Sequence, residues 1–189
     1  MKKLLILTAL ALSINAAMGA TLTFKGRPVA GKSYDLTTLG AVDWAYWNTT
    51  DNPATGTPTN KKAGGSAIGN IKGFGAAATV RGTTTKVATD FTFTDGATVA
   101  SGTVNDVGGL FNTVLNTEGT GVQLEVTLPT AGQAYTISVW TGGHEVQVAA
   151  IVASLPGAVN YEIPTGGPTG NYGDSPKPKE SYMYTFTVI

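Results

Sequence analysis

Short segments in which β-branched and aromatic residues alternate with polar residues recur along the chain, and this pattern constrains the fold most. Turn residues such as Asp95-Gly96, Gly142-Gly143 and Pro156-Gly157 separate the segments. About ten segments of this kind begin at Thr21, Ser33, Val42, Ala76, Thr85, Gly121, Ala134, His144, Ala158 and Ser181. Short strands at this spacing are typical of an all-β sandwich or barrel.

Alternation within a segment also predicts which side of the strand faces the core. In "GVQLEVTLP", Leu124 and Val126 belong to the apolar side, while Gln123 and Glu125 belong to the wet side. In "AYTISVWTG", Trp140 has the parity opposite to the apolar set. The segment "HEVQVAAIVAS" becomes apolar on both parities, which predicts a strand inside a sheet rather than at its edge.

The first twenty residues, "MKKLLILTALALSINAAMGA", have the layout of a secretory signal peptide. Lys2 and Lys3 precede an apolar run, and small residues lead up to Ala20. The run is shorter than the roughly 20 residues that a membrane-spanning helix needs. We therefore predict a signal peptide over residues 1–20 and a single domain over residues 21–189 that is secreted or displayed at the cell surface, with no membrane span.

Composition argues against several classes of function. Lys2 and Lys3 are two of the 12 basic residues, so the chain after Ala20 has 10 basic residues (12 minus 2) against 12 acidic ones. This slight excess of negative charge predicts no basic surface for binding nucleic acid. The absence of cysteine and the single histidine, His144, exclude thiol catalysis and multi-histidine metal sites. No serine lies in a G-x-S-x-G elbow, and spacing pairs no two acids for glycoside hydrolysis. We therefore predict a protein without catalytic activity.

Two long polar stretches, residues 49–67 and 164–179, are rich in Pro, Gly, Asn and Thr. Loops of this length are functional or disordered in most compact domains. Calcium is the metal that would suit oxygen ligands from "TTDN" (49–52), "VND" (104–106) or "YGDS" (172–175). Ordinary Asx turns explain these sequences more simply, so the prediction is no cofactor, with calcium as the alternative.

The aromatic cluster in "GAVDWAYWNTTDN" is the main candidate for ligand binding. On a strand, Trp44 and Tyr46 share one side and Trp47 lies on the other. We predict that Trp44 and Tyr46 are core residues, and that Trp47 lies at a rim where an indole stacks on a sugar face. The competing interpretation is that the tryptophans only fill the space between sheets. The predicted ligand-binding residues are Trp47, Asn48, Asp51, Asn52, Trp140 and His144.

Four motifs in order, "YDLTTLGAVDWAYW", "NKKAGGSAIGNIKGF", "FTFTDG" and "YTISVWTGG", resemble a family of secreted bacterial β-sandwich domains with a "DLT..GTLDWAHWG" and "KAGG" signature. Such domains occur alone, with carboxy-terminal sorting signals, or beside polysaccharide-degrading enzymes. The resemblance implies a galactose-binding-like jelly roll and a carbohydrate role. This chain departs from the pattern at Tyr46, where histidine is usual, and at Asn48, where glycine is usual.

The family pattern usually continues past the strand that corresponds to "YMYTFTVI" into a further strand. An unpaired apolar strand edge is an aggregation hazard. The segment is therefore either a terminal strand or, the interpretation we prefer, the end of a fragment cut before the last strand. The leading functional prediction is binding of a polysaccharide or cell-surface glycan. The alternatives are a structural or interaction protein of the cell envelope without a small ligand, and a glycan-active enzyme.

Overall fold

A computed structural model describes residues 8–15, 21–26, 33–48, 56–75, 80–82, 89–112, 119–142, 150–154, 161–164 and 181–189. The described part of the chain is built almost wholly of strands, with one four-residue helix, α1 (Leu36–Leu39). The strands in chain order are β1 (Thr8–Asn15), β2 (Leu22–Gly26), β3 (Ser33–Asp35), β4 (Ala45–Tyr46), β5 (Asn60–Lys61), β6 (Lys72–Phe74), β7 (Val80–Gly82), β8 (Asp90–Phe93), β9 (Gly102–Val104), β10 (Leu110–Asn112), β11 (Thr120–Thr127), β12 (Tyr135–Gly142), β13 (Ala150–Ser154), β14 (Tyr161–Pro164) and β15 (Ser181–Val188). The prediction of an all-β fold is confirmed, and each of the ten predicted segments contains a strand.

The largest sheet has five strands in the order β14-β13-β1-β11-β6. Strand β1 lies within the predicted signal peptide and is parallel to both of its neighbours, β11 and β13. The sequence prediction leaves these residues out of the fold, so this strand was not foreseen. Strand β13 lies between β14 and β1, which confirms the prediction that its segment lies inside a sheet.

A second sheet has the order β12-β15-β2, with β15 in the centre and antiparallel to both neighbours. Beyond the paired strands, Thr21 and Ile189 exchange backbone hydrogen bonds of 2.8 and 3.0 Å. The unpaired edge predicted for "YMYTFTVI" is therefore wrong, because each edge of β15 has a partner. A further strand after Ile189 stays a prediction.

Three small sheets complete the described structure. Strand β8 lies between β3, to which it is parallel, and β9, to which it is antiparallel. Strands β4 and β5 pair with each other, as do β7 and β10. Strand β5 lies inside the polar stretch 49–67, so part of that predicted loop belongs to the sheet framework.

Two hydrophobic clusters form the core. Cluster 1 joins β2, β11 and β15, and its buried members are Leu22, Leu124, Val126, Tyr184, Phe186 and Val188. Cluster 2 joins α1, β4 and β8, and its buried members are Leu36, Trp44, Tyr46, Phe91, Phe93 and Val107. The predicted apolar side of β11 is confirmed, because Leu124 and Val126 face cluster 1.

Strand β12 contributes to both clusters from its two sides. Ile137 and Val139 pack against cluster 1, whereas Trp140, at the opposite parity, packs against cluster 2. The segment around β4 behaves in the same way, because Trp44 and Tyr46 enter cluster 2 while Trp47 packs against cluster 1. Both faces of these two segments are therefore covered by apolar neighbours.

Candidate functional site

The motif "DLTT" ends a strand and begins a helix. Asp35 has an extended backbone and caps α1, with its Oδ1 accepting a hydrogen bond from the Thr37 backbone N–H at 3.0 Å. Its Oδ2 accepts another from the Thr38 hydroxyl at 2.6 Å. Aspartate is a preferred N-cap because its carboxylate satisfies the free N–H groups of the first turn. The sequence predicts a single strand through "SYDLTT", and this is wrong because the cap turns the chain into α1.

The carboxylate of Asp95, in the motif "FTFTDG", is the centre of a hydrogen-bond network. Its Oδ1 accepts from the Trp44 Nε1 at 2.8 Å and from the Thr37 hydroxyl at 2.9 Å. Its Oδ2 forms a salt bridge with Lys62. The Thr37 oxygen also accepts from the Thr94 backbone N–H at 2.8 Å. We call Thr37, Trp44, Lys62 and Asp95 the Asp95 junction.

The electrostatics of the junction favour the ionised carboxylate. The hydrogen bond from Lys62 lowers the pKa of Asp95, burial acts in the opposite direction, and the hydrogen bonds from Trp44 and Thr37 lower it further. The side chains of Lys62 and Asp95 retain only 20% and 27% of their exposure, so water screens the pair less than it would a fully exposed one. At neutral pH, Asp95 is therefore an anion that accepts hydrogen bonds, not a proton donor.

The backbone around Asp95 is held as well. The Asp95 carbonyl accepts from the Ala63 N–H at 2.8 Å, and the Ala97 N–H donates to the Lys61 carbonyl at 2.7 Å. Asn60, which is buried, accepts from the Thr98 N–H at 3.0 Å and donates to the Val99 carbonyl at 2.9 Å. These bonds fix the turn after β8 against β5 and the residues that directly follow it, Lys62 and Ala63.

Asp43, beside Trp44, performs a similar role for the motif "KAGG". Its carboxylate accepts from the Trp44 N–H at 2.8 Å and from the Ile68 N–H at 2.9 Å. A Cβ atom at Gly65 would lie 2.0 Å from the Asp43 Oδ1, so a larger residue there would require the Asp43 carboxylate to move. Thus Asp43 holds the "KAGG" segment against β4 in the same way that Asp95 holds "DLTT" and β4 together.

The four motifs that carry the family resemblance therefore converge in space. Three of them meet at the Asp95 junction and Asp43: the first through "DLTT" and "DWAYW", the second through "KAGG" and the residues after it, and the third through "TDG". The fourth quoted motif supplies Trp140, whose ring lies 5.1 Å from that of Tyr34 and 5.3 Å from that of Phe91, both in edge contacts. The sequence prediction did not name Thr37, Lys62 or Asp95 as site residues, although the quoted motifs contain all three.

Trp44 and Tyr46 are buried in cluster 2, as predicted, with 3% and 7% of their surface exposed. Their rings stack with centroids 6.3 Å apart and an interplanar angle of 9°, and both contact Phe93. Burial raises the pKa of the Tyr46 hydroxyl, while a hydrogen bond with Asn60 lowers it. The aromatic pair is therefore a packing element.

Trp47 is half-buried and packs against cluster 1. Its Nε1 donates to the Gly56 carbonyl at 2.7 Å. Asn48 is also half-buried, and its Oδ1 accepts from the Gly108 N–H at 3.0 Å while its own N–H donates to the Thr59 hydroxyl at 2.8 Å. These two predicted ligand-binding residues are neighbours in the sequence, and the polar atoms named here form hydrogen bonds within the chain.

Trp140 lies elsewhere, among the rings of cluster 2. Its Nε1 is buried and has no hydrogen-bond acceptor among the residues that the structure describes. The other predicted ligand-binding residues, Asp51, Asn52 and His144, lie outside the described residues. Trp47 packs against cluster 1, whereas Trp140 packs against cluster 2.

Two of the three predicted calcium segments, residues 49–52 and 172–175, also lie outside the described residues. In the third, Asp106 has a φ of 48°, and its N–H donates to the Asp90 Oδ1 at 2.8 Å. The Asp90 carboxylate therefore holds the backbone of Asp106 from 16 residues away along the chain, at the start of β8. Within the described ranges, no group of three His, Cys, Asp or Glu side chains is placed to hold a metal ion.

Acid should weaken the Asp95 junction. The folded pKa of Asp95 lies below its ordinary value of about 4, so its ionised form stabilises the fold above about pH 4. This contribution is lost as the pH falls through the lowered folded pKa. We expect the difference in Tm between the wild-type protein and Asp95→Asn to be constant from pH 7 to 5 and to shrink toward pH 2. Thermal unfolding followed by circular dichroism at each pH measures it, and a difference that stays unchanged at pH 2 would contradict the assignment.

No family model, curated protein or solved structure matches the chain. No helix of the described ranges is long and apolar enough to cross a membrane. Fold and site together define an all-β protein whose signature residues are joined by internal hydrogen bonds.

Proposed function

We propose that this chain is an exported, non-catalytic β-sandwich module that serves as a structural or interaction domain of the bacterial cell envelope. The observation that supports this is the Asp95 junction. Three side chains from two of the resembling motifs donate to the carboxylate of Asp95, which lies in a third motif, and both of its oxygens are engaged. Charge-assisted hydrogen bonds of this kind stabilise a fold, and a carboxylate so engaged is not offered to a substrate.

The arrangement we propose for the strands is a galactose-binding-like jelly roll. The strand content and the spatial convergence of the four resembling motifs support this proposal. Export is proposed from the leader-like sequence of residues 1–20. In such a module, the "KAGG" and "TDG" residues maintain the fold, and other parts of the surface contact the partners.

Carbohydrate binding is the second candidate, and the position of Trp47 favours it. Trp47 is only half-buried, and in the sequence it comes just before the polar stretch that contains Asp51 and Asn52. A partly exposed aromatic residue of this kind suits stacking on the C–H face of a sugar. The ligand in this case is a polysaccharide or a cell-surface glycan.

Retention on isolated cell envelopes, combined with a glycan array, separates the two candidates. For the structural module we expect the exported chain to sediment with envelopes of the producing cells, to ignore added soluble oligosaccharides, and to bind no glycan on the array. Two variants probe Trp47. Trp47→Ala removes its ring, whereas Trp47→Phe keeps an aromatic face but loses the hydrogen bond to Gly56.

The proposed module requires both variants to be retained within about twofold of the wild-type protein, provided that circular dichroism shows them folded. Glycan binding that Trp47→Ala abolishes and Trp47→Phe preserves would move the assignment to the carbohydrate candidate. A wild-type chain that stays in the supernatant and binds no glycan would contradict both candidates.

A further inference from the structure

The leader-like segment occupies an interior position in the largest sheet. All eight residues of β1 pair in parallel register with β11, from Thr8 opposite Thr120 to Asn15 opposite Thr127. On its other side, residues 9–13 pair with β13, from Ala9 opposite Ala150 to Ser13 opposite Ser154. A signal peptide is cut from the mature chain, so export removes an inner strand of this sheet.

Both neighbours of β1 already have partners on their other edges. Strand β13 pairs with β14, and β11 pairs with β6 and is joined to residues 67–69 by the hydrogen bonds from Thr127 N to Ala67 O and from Gly69 N to Glu125 O. Removal of β1 therefore divides the sheet into β14-β13 and β11-β6. Among the described strands, no other pairing connects these two halves. The facing edges of β11 and β13 are then free over a gap one strand wide.

Free backbone N–H and C=O groups along two facing edges are a template for an added strand. Strand β1 fills this gap before processing, so its sequence indicates what kind of strand the gap can bind. "TALALSIN" is eight residues long, uncharged and rich in Ala and Leu, and it runs parallel to both edges. A charged strand or one that contains proline does not meet these requirements.

We propose that processing of residues 1–20 opens a strand-wide slot between β11 and β13, and that the mature module uses this slot to bind an extended, uncharged apolar segment of another polypeptide in parallel register. This proposal rests on the export proposed above. It assigns the interaction surface of the module to the backbone edges of two strands. Specificity comes from register and from the exclusion of charge, and affinity comes from main-chain hydrogen bonds.

A synthetic peptide with the sequence of residues 8–15, a soluble lysine tail and a fluorescent label is the probe. The exported chain that begins at Thr21 should bind it, and the unprocessed chain of 189 residues, in which β1 fills the slot, should bind it at least tenfold more weakly by fluorescence anisotropy. The control peptide carries Leu10→Pro and Leu12→Pro, which remove two backbone N–H donors. It should not bind to either chain.

Register is tested by disulfide formation, because the chain has no cysteine of its own. A peptide with Ser13→Cys should cross-link to the exported chain with Glu125→Cys, its register partner, and not to Gln123→Cys, two residues away. Intact mass gives the yield. Equal yields at the two positions, or equal peptide binding by processed and unprocessed chains, would overturn the proposal.

If the exported chain is unfolded alone, a gain of β-structure on addition of the peptide supports the proposal, and continued disorder overturns it. A dimer of the exported chain that excludes the peptide would also overturn it and would assign the slot to a second copy. The mass of the exported chain distinguishes failure of the slot proposal from failure of the proposed export. A chain that still begins at Met1 shows that export processing has failed, and it does not test the slot.

Discussion

Replacing Asp95 with alanine should lower the free energy of unfolding by about 2–4 kcal/mol. The substitution leaves the Trp44 Nε1 and the Thr37 hydroxyl without their acceptor and leaves Lys62 without its ion-pair partner. Unsatisfied donors next to a buried aromatic cluster are costly because protein replaces the water that would bond them. Urea unfolding followed by the fluorescence of the three tryptophans, one of which is Trp44 in the junction, measures the change.

The chain has a matched control for this variant. Glu125 also forms an ion pair with a lysine, Lys72, but their side chains retain 44% and 60% of their exposure. Glu125→Ala should therefore change the free energy of unfolding by about 0–1 kcal/mol, as exposed pairs do. If the two alanine variants lost equal stability, Asp95 would be an ordinary surface charge and the junction would not hold its three motifs together.

Replacing Phe186 with alanine should lower the free energy of unfolding by about 3–5 kcal/mol, the largest effect we expect. Phe186 is fully buried in β15, with Ile137 of β12 and Phe24 of β2 opposite it in the register of the sheet. Its ring lies 5.5 Å from that of Phe24. Deletion of the ring leaves a cavity between all three strands of this sheet and cluster 1.

Thr187, the next residue of β15, is the control for this variant. It is only half-buried, so Thr187→Ala should cost less than about 1 kcal/mol, within the range of strand propensities. Chemical denaturation of both variants checks the pair. A Phe186→Ala protein as stable as Thr187→Ala would show that β15 does not organise cluster 1.

The sequence predicted the local strands well because alternation is a local property. The apolar parity of β11 and the burial of Trp44 and Tyr46 both followed from the two-residue period of a strand. The alternation of a strand does not tell which element covers each of its sides. It placed Trp47 and Trp140 on the side opposite to the main apolar residues of their strands. In the structure, that opposite side also packs against a hydrophobic cluster.

The Asp95 junction was beyond local pattern because its members are distant along the chain. Thr37 is 58 residues from Asp95, and Lys62 is 33 residues from it. From composition and spacing, each of these residues is predicted only to lie beside a turn or a strand, and no contact between them is predicted. The motif resemblance was the one signal that placed them in a common set, and only the fold brought them into contact.

Two errors have local physical causes. The helix after Asp35 was missed because "LTTL" is short and rich in residues that also favour strands, so the N-cap decided its conformation. Strand β1 was missed because the leader layout led us to exclude residues 1–20, and an apolar run of eight residues also satisfies the requirements of a buried strand.

The hydrogen bonds between Thr21 and Ile189 also determine how the module would respond to mechanical force. These residues lie side by side at one end of the β2–β15 pair, so tension applied to both of them acts across the strands and not along them. Under such a load the hydrogen bonds between β2 and β15 would break one after another from that end. A module loaded through these two residues is therefore a weak mechanical element that yields by unzipping.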